Sequence, residues 1–371
     1  MKSALFRFPA REAVVVGVSA AATQFGAAFA YRVVPSEVDF AIFRVTEQRF
    51  LNGLPMYSGD SVDFTPPIFH VLLWPFAHLD PRLGFIIWTI GSTLLAWLVV
   101  RMAMRAVPRA HYHGWIIAAC VVNAAGVQAT LRLGQVSWIV AFLITMAWIA
   151  ARSSRWVAAG WWTGLAIAFK PFLLVALPVF LVRRQWKLVA VCVLTIAVCC
   201  GVSAAAYGWP AFAGWFAALQ TTPGPVYTTH FLNASWMALI TRMGLPYTAG
   251  VLLGLVTILV MVWRIRAADE DASWLLMLLA ALLASPLGWI YYQPMLLGPG
   301  LALAMSGGHP RLWWLLPVCV VPPIGSRFLQ DGSTLIALTA GSAYFWGLLA
   351  AFLLVNMTTR PRFVQTGCSA A

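Results

Sequence analysis

The chain has 371 residues, 61% of them hydrophobic and only 9% charged, with a mean hydropathy of +0.83, where soluble globular chains carry about 25% charged residues. That balance excludes a water-soluble, secreted, disordered or fibrous protein and leaves an integral membrane protein, with room for about a dozen crossings of about 20 residues each. The formal net charge of +13 is no nucleic-acid footprint: 16 of the 24 basic residues sit in small clusters between apolar runs, at Lys2/Arg7/Arg11, Arg101/Arg105/Arg109, Arg152/Arg155, Arg183/Arg184/Lys187, Arg264/Arg266, Arg311 and Arg360/Arg362.

Basic residues beside membrane spans mark cytoplasmic loops, so these clusters orient the chain. The first apolar run, residues 13–34, follows a basic N-terminus. Ala28-Phe29-Ala30 has the look of a signal-peptidase site, but the membrane character of everything downstream favours a retained first span. An external loop over residues 35–82 follows, and its polar part, 35–65, holds Glu37, Asp39, Glu47, Asp60 and Asp63, five of only eleven acids. The apolar run 66–79 is too short for a hydrocarbon core of about 30 Å. If both it and 83–100 crossed, the Arg101–Arg109 cluster would lie outside. Parity therefore makes 66–79 an interfacial or re-entrant helix.

The later clusters alternate. Residues 114–131 run outward and 136–151 return to Arg152/Arg155. The run 156–182 has basic residues at both ends and Lys170-Pro171 at its middle, so it reads as two short crossings broken on the outer side, where proline stops a helix. Residues 188–207 run outward to a second external segment, 208–247, and 248–263 return. Crossings at 273–289, 294–305, 312–324 and 335–355 follow, and a short polar tail, 356–371, closes the chain. The domain map is one membrane domain with about twelve spans and both termini in the cytoplasm. Cys120, Cys192, Cys199, Cys200 and Cys319 lie in apolar stretches, where a free thiol packs as a small hydrophobe; with Cys368 they show neither zinc spacing nor a disulfide framework.

Arg32, Arg44, Arg49, Arg82, Arg132, Lys170, Arg242 and Arg327 remain outside the cytoplasmic clusters. In this topology they share the outer side with most of the acids and with the polar breaks at 132–135, 170–171 and 289–294. Polar backbone at membrane depth is tolerated only against protein or a wet cavity, so several breaks at one face imply a common polar cavity. Lys170, one of three lysines against 21 arginines, is either a cation snorkelling from a helix end or one facing a buried anion such as a lipid phosphate. Arg132 has the same two readings. Asp39 lies about five residues beyond the first span, at a height from which a general base could reach the hydroxyl of a lipid-linked substrate.

The order of features resembles glycosyltransferase family 87. The resemblance is carried by Val38-Asp39-Phe40, Phe50-Leu51-Asn52-Gly53-Leu54-Pro55-Met56-Tyr57 and Phe64-Thr65-Pro66-Pro67. It continues through Gly134-Gln135, Ala159-Gly160, Gly164-Leu165-Ala166, Lys170-Pro171, Asn233-Ala234-Ser235 and Ser285-Pro286-Leu287-Gly288-Trp289. No single motif is specific; the ordered set carries the likeness. It implies an all-α polytopic enzyme of the GT-C fold, with interfacial jaw helices in the first external loop. The implied reaction transfers a hexose, mannose first, from a polyprenyl-phosphate sugar to a lipid or glycan acceptor on the outer side of a bacterial-type cytoplasmic membrane. By similarity, Asp39 is the catalytic base of an inverting reaction. Arg132, Gln135, Lys170, His230, Asn233, Tyr291 and Tyr292 are candidates for binding the donor phosphate or sugar. No cofactor and no metal are implied, since no acid pair or cluster resembles a metal cage. The pattern departs from the family's usual one at Phe43, where tyrosine is common, and at Tyr291 and Tyr292, where histidine is usual.

Two other classes fit the composition. A transporter or flippase of lipid-linked sugars shares the span count, but such proteins place ionisable residues near the midplane and show repeated halves. Here no acid falls in an expected span and no repeat is visible. A non-catalytic scaffold of an envelope-assembly complex is the third.

Overall fold

The computed structural model describes residues 39–58, 63–107, 124–221, 225–230, 232–305 and 333–358. The expected first span, most of the 114–131 span, the 312–324 span and nearly all of the C-terminal tail lie outside them. The described residues are helical throughout, apart from turns and one isolated bridge between Asn233 and Trp289. The helices are α1 (Asp39–Leu51), α2 (Pro67–Ala77), α3 (Pro81–Ala106), α4 (Ala125–Leu133), α5 (Ser137–Arg152), α6 (Trp156–Phe169), α7 (Ala176–Val182), α8 (Trp186–Tyr207), α9 (Trp209–Thr221), α10 (Pro225–Thr228), α11 (Trp236–Arg242), α12 (Tyr247–Arg264), α13 (Glu270–Ala284), α14 (Leu297–Met305), α15 (Thr334–Leu338) and α16 (Ala343–Thr358).

Four stretches are long and apolar enough to cross a membrane: α3, α8, α12 and Thr334–Met357. The apolar helices α2, α5 and α6 and the segment Pro171–Val182 are shorter. Where parity demands a non-crossing element the chain builds α2, 11 residues with Pro75 inside it. At 1.5 Å per residue that is about 16 Å, roughly half of a hydrocarbon core.

Local chemistry sets the helix ends. Asp80 opens α3, its carboxylate accepting from the Arg82 and Leu83 N–H groups at 3.0 and 3.1 Å with Pro81 at the first helical position. Asp269 opens α13 by accepting from Ala272 N–H at 2.8 Å. The run from Ala272 to Leu283 is buried on every face, as expected of a helix apolar all round. This helix is the central pillar, packed by α5, α7, α12, α14 and α16.

The break expected at Lys170-Pro171 is present. α6 stops at Phe169, a 3-10 turn spans Pro171–Val175, and α7 follows. The α6–α8 contact gives the direction of the return. Gly160 lies against Leu188 and Val191, and Gly164 against Cys192 and Thr195, so the two helices run parallel and the chain between them must travel back. Tight turns at Ser154 and Arg184, both at φ 56°, reverse the chain after α5 and α7. Each is closed by N–H bonds to carbonyls of the preceding helix.

The helices thus alternate between two ends of the bundle. At one end the α5, α7 and α13 termini are tied by Arg152–Asp271 at 3.2 Å and Arg183–Glu270 at 2.7 Å. Trp148 and Trp274 donate to Asp271 and Glu270 at 2.8 and 2.9 Å. At the other end lie Asp39, Gln135, Lys170 and the turn after α13.

The close α6–α8 seam rests on small residues. A Cβ on Gly164 would come within 2.6 Å of Thr195 Cβ and 2.8 Å of Cys192 O. Gly164→Val is expected to destabilise the protein by about 1–3 kcal/mol, seen as a lower Tm of the detergent-solubilised chain. Gly201→Ala on α8, where a Cβ meets nothing within 4 Å, is expected to leave Tm unchanged or higher.

Candidate active site

A cavity of about 480 Å³ opens at the end of the bundle away from the arginine–acid layer, within the usual size range of small-molecule sites. Of the residues expected to form a site, Asp39, Gln135, Lys170, His230, Tyr291 and Tyr292 line it. Arg132 and Asn233 do not: Arg132 is exposed in the last turn of α4, and Asn233 is fully buried behind the wall.

Asp39 stands in the first turn of α1, held by its neighbour. Phe40 is buried among Phe76, Phe85 and Trp88, with ring centroids 5.6–6.0 Å away. Gly134 ends α4 at φ 71°, and a Cβ there would lie 2.6 Å from Phe40 Cβ. Glycine alone allows both the left-handed cap and this approach. The next residue, Gln135, then donates its side-chain N–H to the Asp39 carboxylate. The same short helix rests on the turn after α13: a Cβ on Gly126 would meet Ile290 O at 2.3 Å, and Thr130 Oγ1 donates to Tyr291 O at 3.1 Å. The Gly134-Gln135 pair therefore couples three segments at one carboxylate.

Burial is the main cause that pushes the Asp39 carboxyl up from the ordinary range to about 6, with the negative charge of Asp63 adding to it; the Gln135 hydrogen bond and Lys170 act against it. A carboxylate at about 6 is ionised at neutral pH yet basic enough to take a proton, the balance required of a general base. Lys170 stands in the break after α6, its Nζ 5.4 Å from the Tyr292 ring centre, a cation–π contact. Tyr291 lies stacked on Trp289 at 5.5 Å and 18°, and Phe172 packs on Tyr292 at 5.2 Å.

His230 is held by Arg242, which donates to the carbonyls of Thr229, His230 and Asn233 at 3.1, 2.5 and 2.8 Å. His230 Nδ1 accepts from Leu232 N–H at 3.2 Å, so the neutral ring carries its proton on Nε2. Burial, then the charge of Arg242, push the imidazole down to about 4. It is therefore a neutral donor at physiological pH, not a cation.

Asn233 makes its hydrogen bonds within the wall. Its Nδ2 donates to Tyr227 O and Pro286 O at 3.4 and 3.1 Å, and its Oδ1 accepts from Ser235 N–H and Gly288 N–H at 3.3 and 3.0 Å. It fastens the Asn233-Ala234-Ser235 segment to the Ser285-Pro286-Leu287-Gly288-Trp289 segment, two of the stretches that carried the family likeness.

Sequence reasoning left one group unread. Asp63 is buried on the cavity wall, its Oδ1 accepting from Thr65 N–H at 2.8 Å and Thr65 Oγ1–H at 2.6 Å. His70 Nε2 lies 3.2 Å from Asp63 Oδ2 and 3.1 Å from Thr65 Oγ1. His70 Nδ1 lies 3.6 Å from Glu47, which accepts from Tyr207 O–H at 3.1 Å. His70 and the Thr65 hydrogen bonds outweigh burial and hold the Asp63 carboxyl below its usual range.

Residues 64–287, more than half of the chain, match the glycosyltransferase family 87 profile. The match takes in Gln135, Lys170 and His230; Asp39, Tyr291 and Tyr292 lie beyond it. The chain is also 23% identical, over 89% of its length and 86% of the relative's, to the polyprenol-phosphate-mannose-dependent alpha-(1-2)-phosphatidylinositol mannoside mannosyltransferase of Mycolicibacterium smegmatis. No solved structure matches the chain.

Asn233→Asp keeps the acceptor and removes the two donations to Tyr227 O and Pro286 O. The expected cost is about 2–4 kcal/mol, since two buried carbonyls lose their donor and a carboxylate is buried, read as a fall in Tm of the purified chain. Asn233→Asp standing within experimental error of the parent would refute the fastening role.

Proposed function

The chain belongs to glycosyltransferase family 87, and on that premise we propose that it transfers a hexose, mannose first, from a polyprenyl-phosphate sugar to a lipid or glycan acceptor, with Asp39 as general base. It is a multi-pass membrane glycosyltransferase; the donor, the acceptor class, the side of the membrane and the roles of the residues are the proposal. The observation that carries it is the meeting, in one cavity, of a carboxylate bound by the Gln135 amide and a lysine in a helix break. The relative's name supports a polyprenol-phosphate-mannose donor and a phosphatidylinositol mannoside acceptor.

Asp39 takes the proton of an acceptor hydroxyl, and the oxygen attacks the anomeric carbon opposite the phosphate. The new C–O bond forms as the bond to the phosphate oxygen breaks, inverting that carbon. The electron pair leaves with polyprenyl phosphate, already a good leaving group. Lys170 and the Tyr291 and Tyr292 hydroxyls stabilise the departing phosphate, and His230 Nε2–H donates to the sugar or phosphate. This chemistry needs no metal step, so transfer is expected to persist in excess chelator.

The proposal places the cavity on the outer side of a bacterial-type cytoplasmic membrane, with about twelve spans, jaw helices in the first external loop and both termini inside. The arginine clusters support this, since Arg152, Arg155, Arg183, Arg184 and Lys187 gather at the opposite end of the bundle from Asp39.

Asp39→Asn is expected to keep the fold and insertion yet lower transfer by at least about 10²-fold, measured as polyprenyl phosphate released from polyprenyl-phosphate mannose in proteoliposomes supplied with phosphatidylinositol mannoside. An unimpaired Asn variant refutes the role. The base must be ionised, so the rate of the parent enzyme is expected to fall as pH drops through about 6; a flat profile down to about pH 4, the ordinary carboxylate range, contradicts it. Lys170→Gln is expected to cost about 10²–10³-fold in kcat.

A further inference from the structure

We propose that Asp63 is a positioning residue of this site: clamped by Thr65 and His70, its carboxylate supplies a second fixed negative charge in the wall of the cavity that Asp39 and Lys170 also line. The proposal rests on the reading of Asp39 as the base.

The geometry separates Asp63 from a substrate ligand. It is 3% exposed. One oxygen is taken up by two hydrogen bonds from Thr65, and the other is buried beside His70. That second oxygen is too deeply buried to receive a sugar hydroxyl, yet Asp63 lines the same cavity as Asp39 and Lys170. The clamp is built from four segments. Tyr207 at the end of α8 donates to Glu47 on α1, and Glu47 faces His70 on α2. His70 reaches Thr65 and Asp63 in the loop before α2. Tyr57 donates to Thr65 O at 2.8 Å and sets its ring against His70 at 5.7 Å. A buried carboxylate with this much support cannot turn away from the cavity.

The titratable groups facing Asp39 are Lys170 from the break after α6, Asp63 from the loop before α2, and Tyr291 and Tyr292 from the turn after α13. Those facing Asp63 are His70, Tyr57, Lys170 and Asp39. Burial pushes the Lys170 ammonium down to about 8, and the charges of Asp63 and Asp39 act against it. The two acids and one lysine leave the wall one negative charge in excess before His70 is counted. A like charge makes Asp39 a stronger base, and an opposite charge favours the ammonium of Lys170. One residue thus tunes both groups of the proposed reaction, without contact with substrate.

The two effects have the same sign on pH, which gives the test. In full-length chain reconstituted in proteoliposomes, mannosyl transfer from polyprenyl-phosphate mannose is followed against pH for the parent, Asp63→Asn and Asp63→Ser. Loss of the charge is expected to move the acid limb, set by Asp39, down by about half a pH unit or more. It is expected to move the alkaline limb, set by Lys170, down as well. Asp63→Glu, which keeps the charge, is expected to hold both limbs in place even if kcat falls. Uniformly lowered rates with unmoved limbs would overturn the proposal and make the Asp63–His70 pair structural only. Failure of both neutral variants to fold would overturn it in the same way. An active Asp39→Asn variant, tested in parallel, would instead overturn the reading of the base itself.

Discussion

Charge is expensive in this protein, and the structure is organised around the few places where charge is held. Moving a carboxylate or ammonium into a low-dielectric interior costs several kcal/mol even after relaxation, and only 9% of the residues are charged. At one end of the bundle the charges are paired outright: Arg152 with Asp271, and Arg183 with Glu270, with indole N–H groups of Trp148 and Trp274 completing the carboxylates. That layer ties together the ends of α5, α7 and α13. At the other end pairing is incomplete. Asp39 has one amide donor and a nearby lysine, so part of its burial cost survives as a raised proton affinity. A fully paired carboxylate would be more stable and a poorer base.

Close backbone approach makes the incomplete pairing possible. Gly126 sits against Ile290 O and Gly134 against Phe40, so α4 wedges between the turn after α13 and the first turn of α1. Any side chain at either position would push Gln135 from Asp39. Rigidity is needed here because a lone amide–carboxylate contact near water contributes only about 1.5–3 kcal/mol, too little to hold geometry by itself.

Much of this was legible in the sequence, and the exceptions have physical causes. Charge clusters exposed the alternation of helix ends, and Lys170-Pro171 showed as a break because proline cannot continue a helix. The convergence of 132–135, 170–171 and 289–294 on one cavity followed from the scarcity of other places for polar backbone in a membrane. Arg132 and Gln135 part because position in sequence does not say which residues of a helix end face inward: Gln135 lines the cavity, whereas Arg132 is exposed in the last turn of α4. Asn233 resembled a ligand because an amide that fastens two loops and an amide that binds a sugar are the same residue type. His70 was silent for a different reason. A single histidine in an apolar stretch has no periodicity or spacing to mark it, and its partners Glu47 and Asp63 lie 23 and 7 positions away on other segments. Only the packing of α2 across α1 reveals the cluster.

The asymmetry between the two ends also bears on the transporter alternative. A protein that moves its substrate across the bilayer must open toward both faces around a site near the midplane. Here the described cavity lies at one end, and among the described residues the other end is tied together by the partly exposed pairs Arg152–Asp271 and Arg183–Glu270. Beneath the cavity runs α13, buried on every face from Ala272 to Leu283 and offering no polar path. A group-transfer enzyme has no need of such a path. It needs one mouth through which a lipid-linked donor and its acceptor reach a single base, and a rigid floor that keeps that base where the two meet.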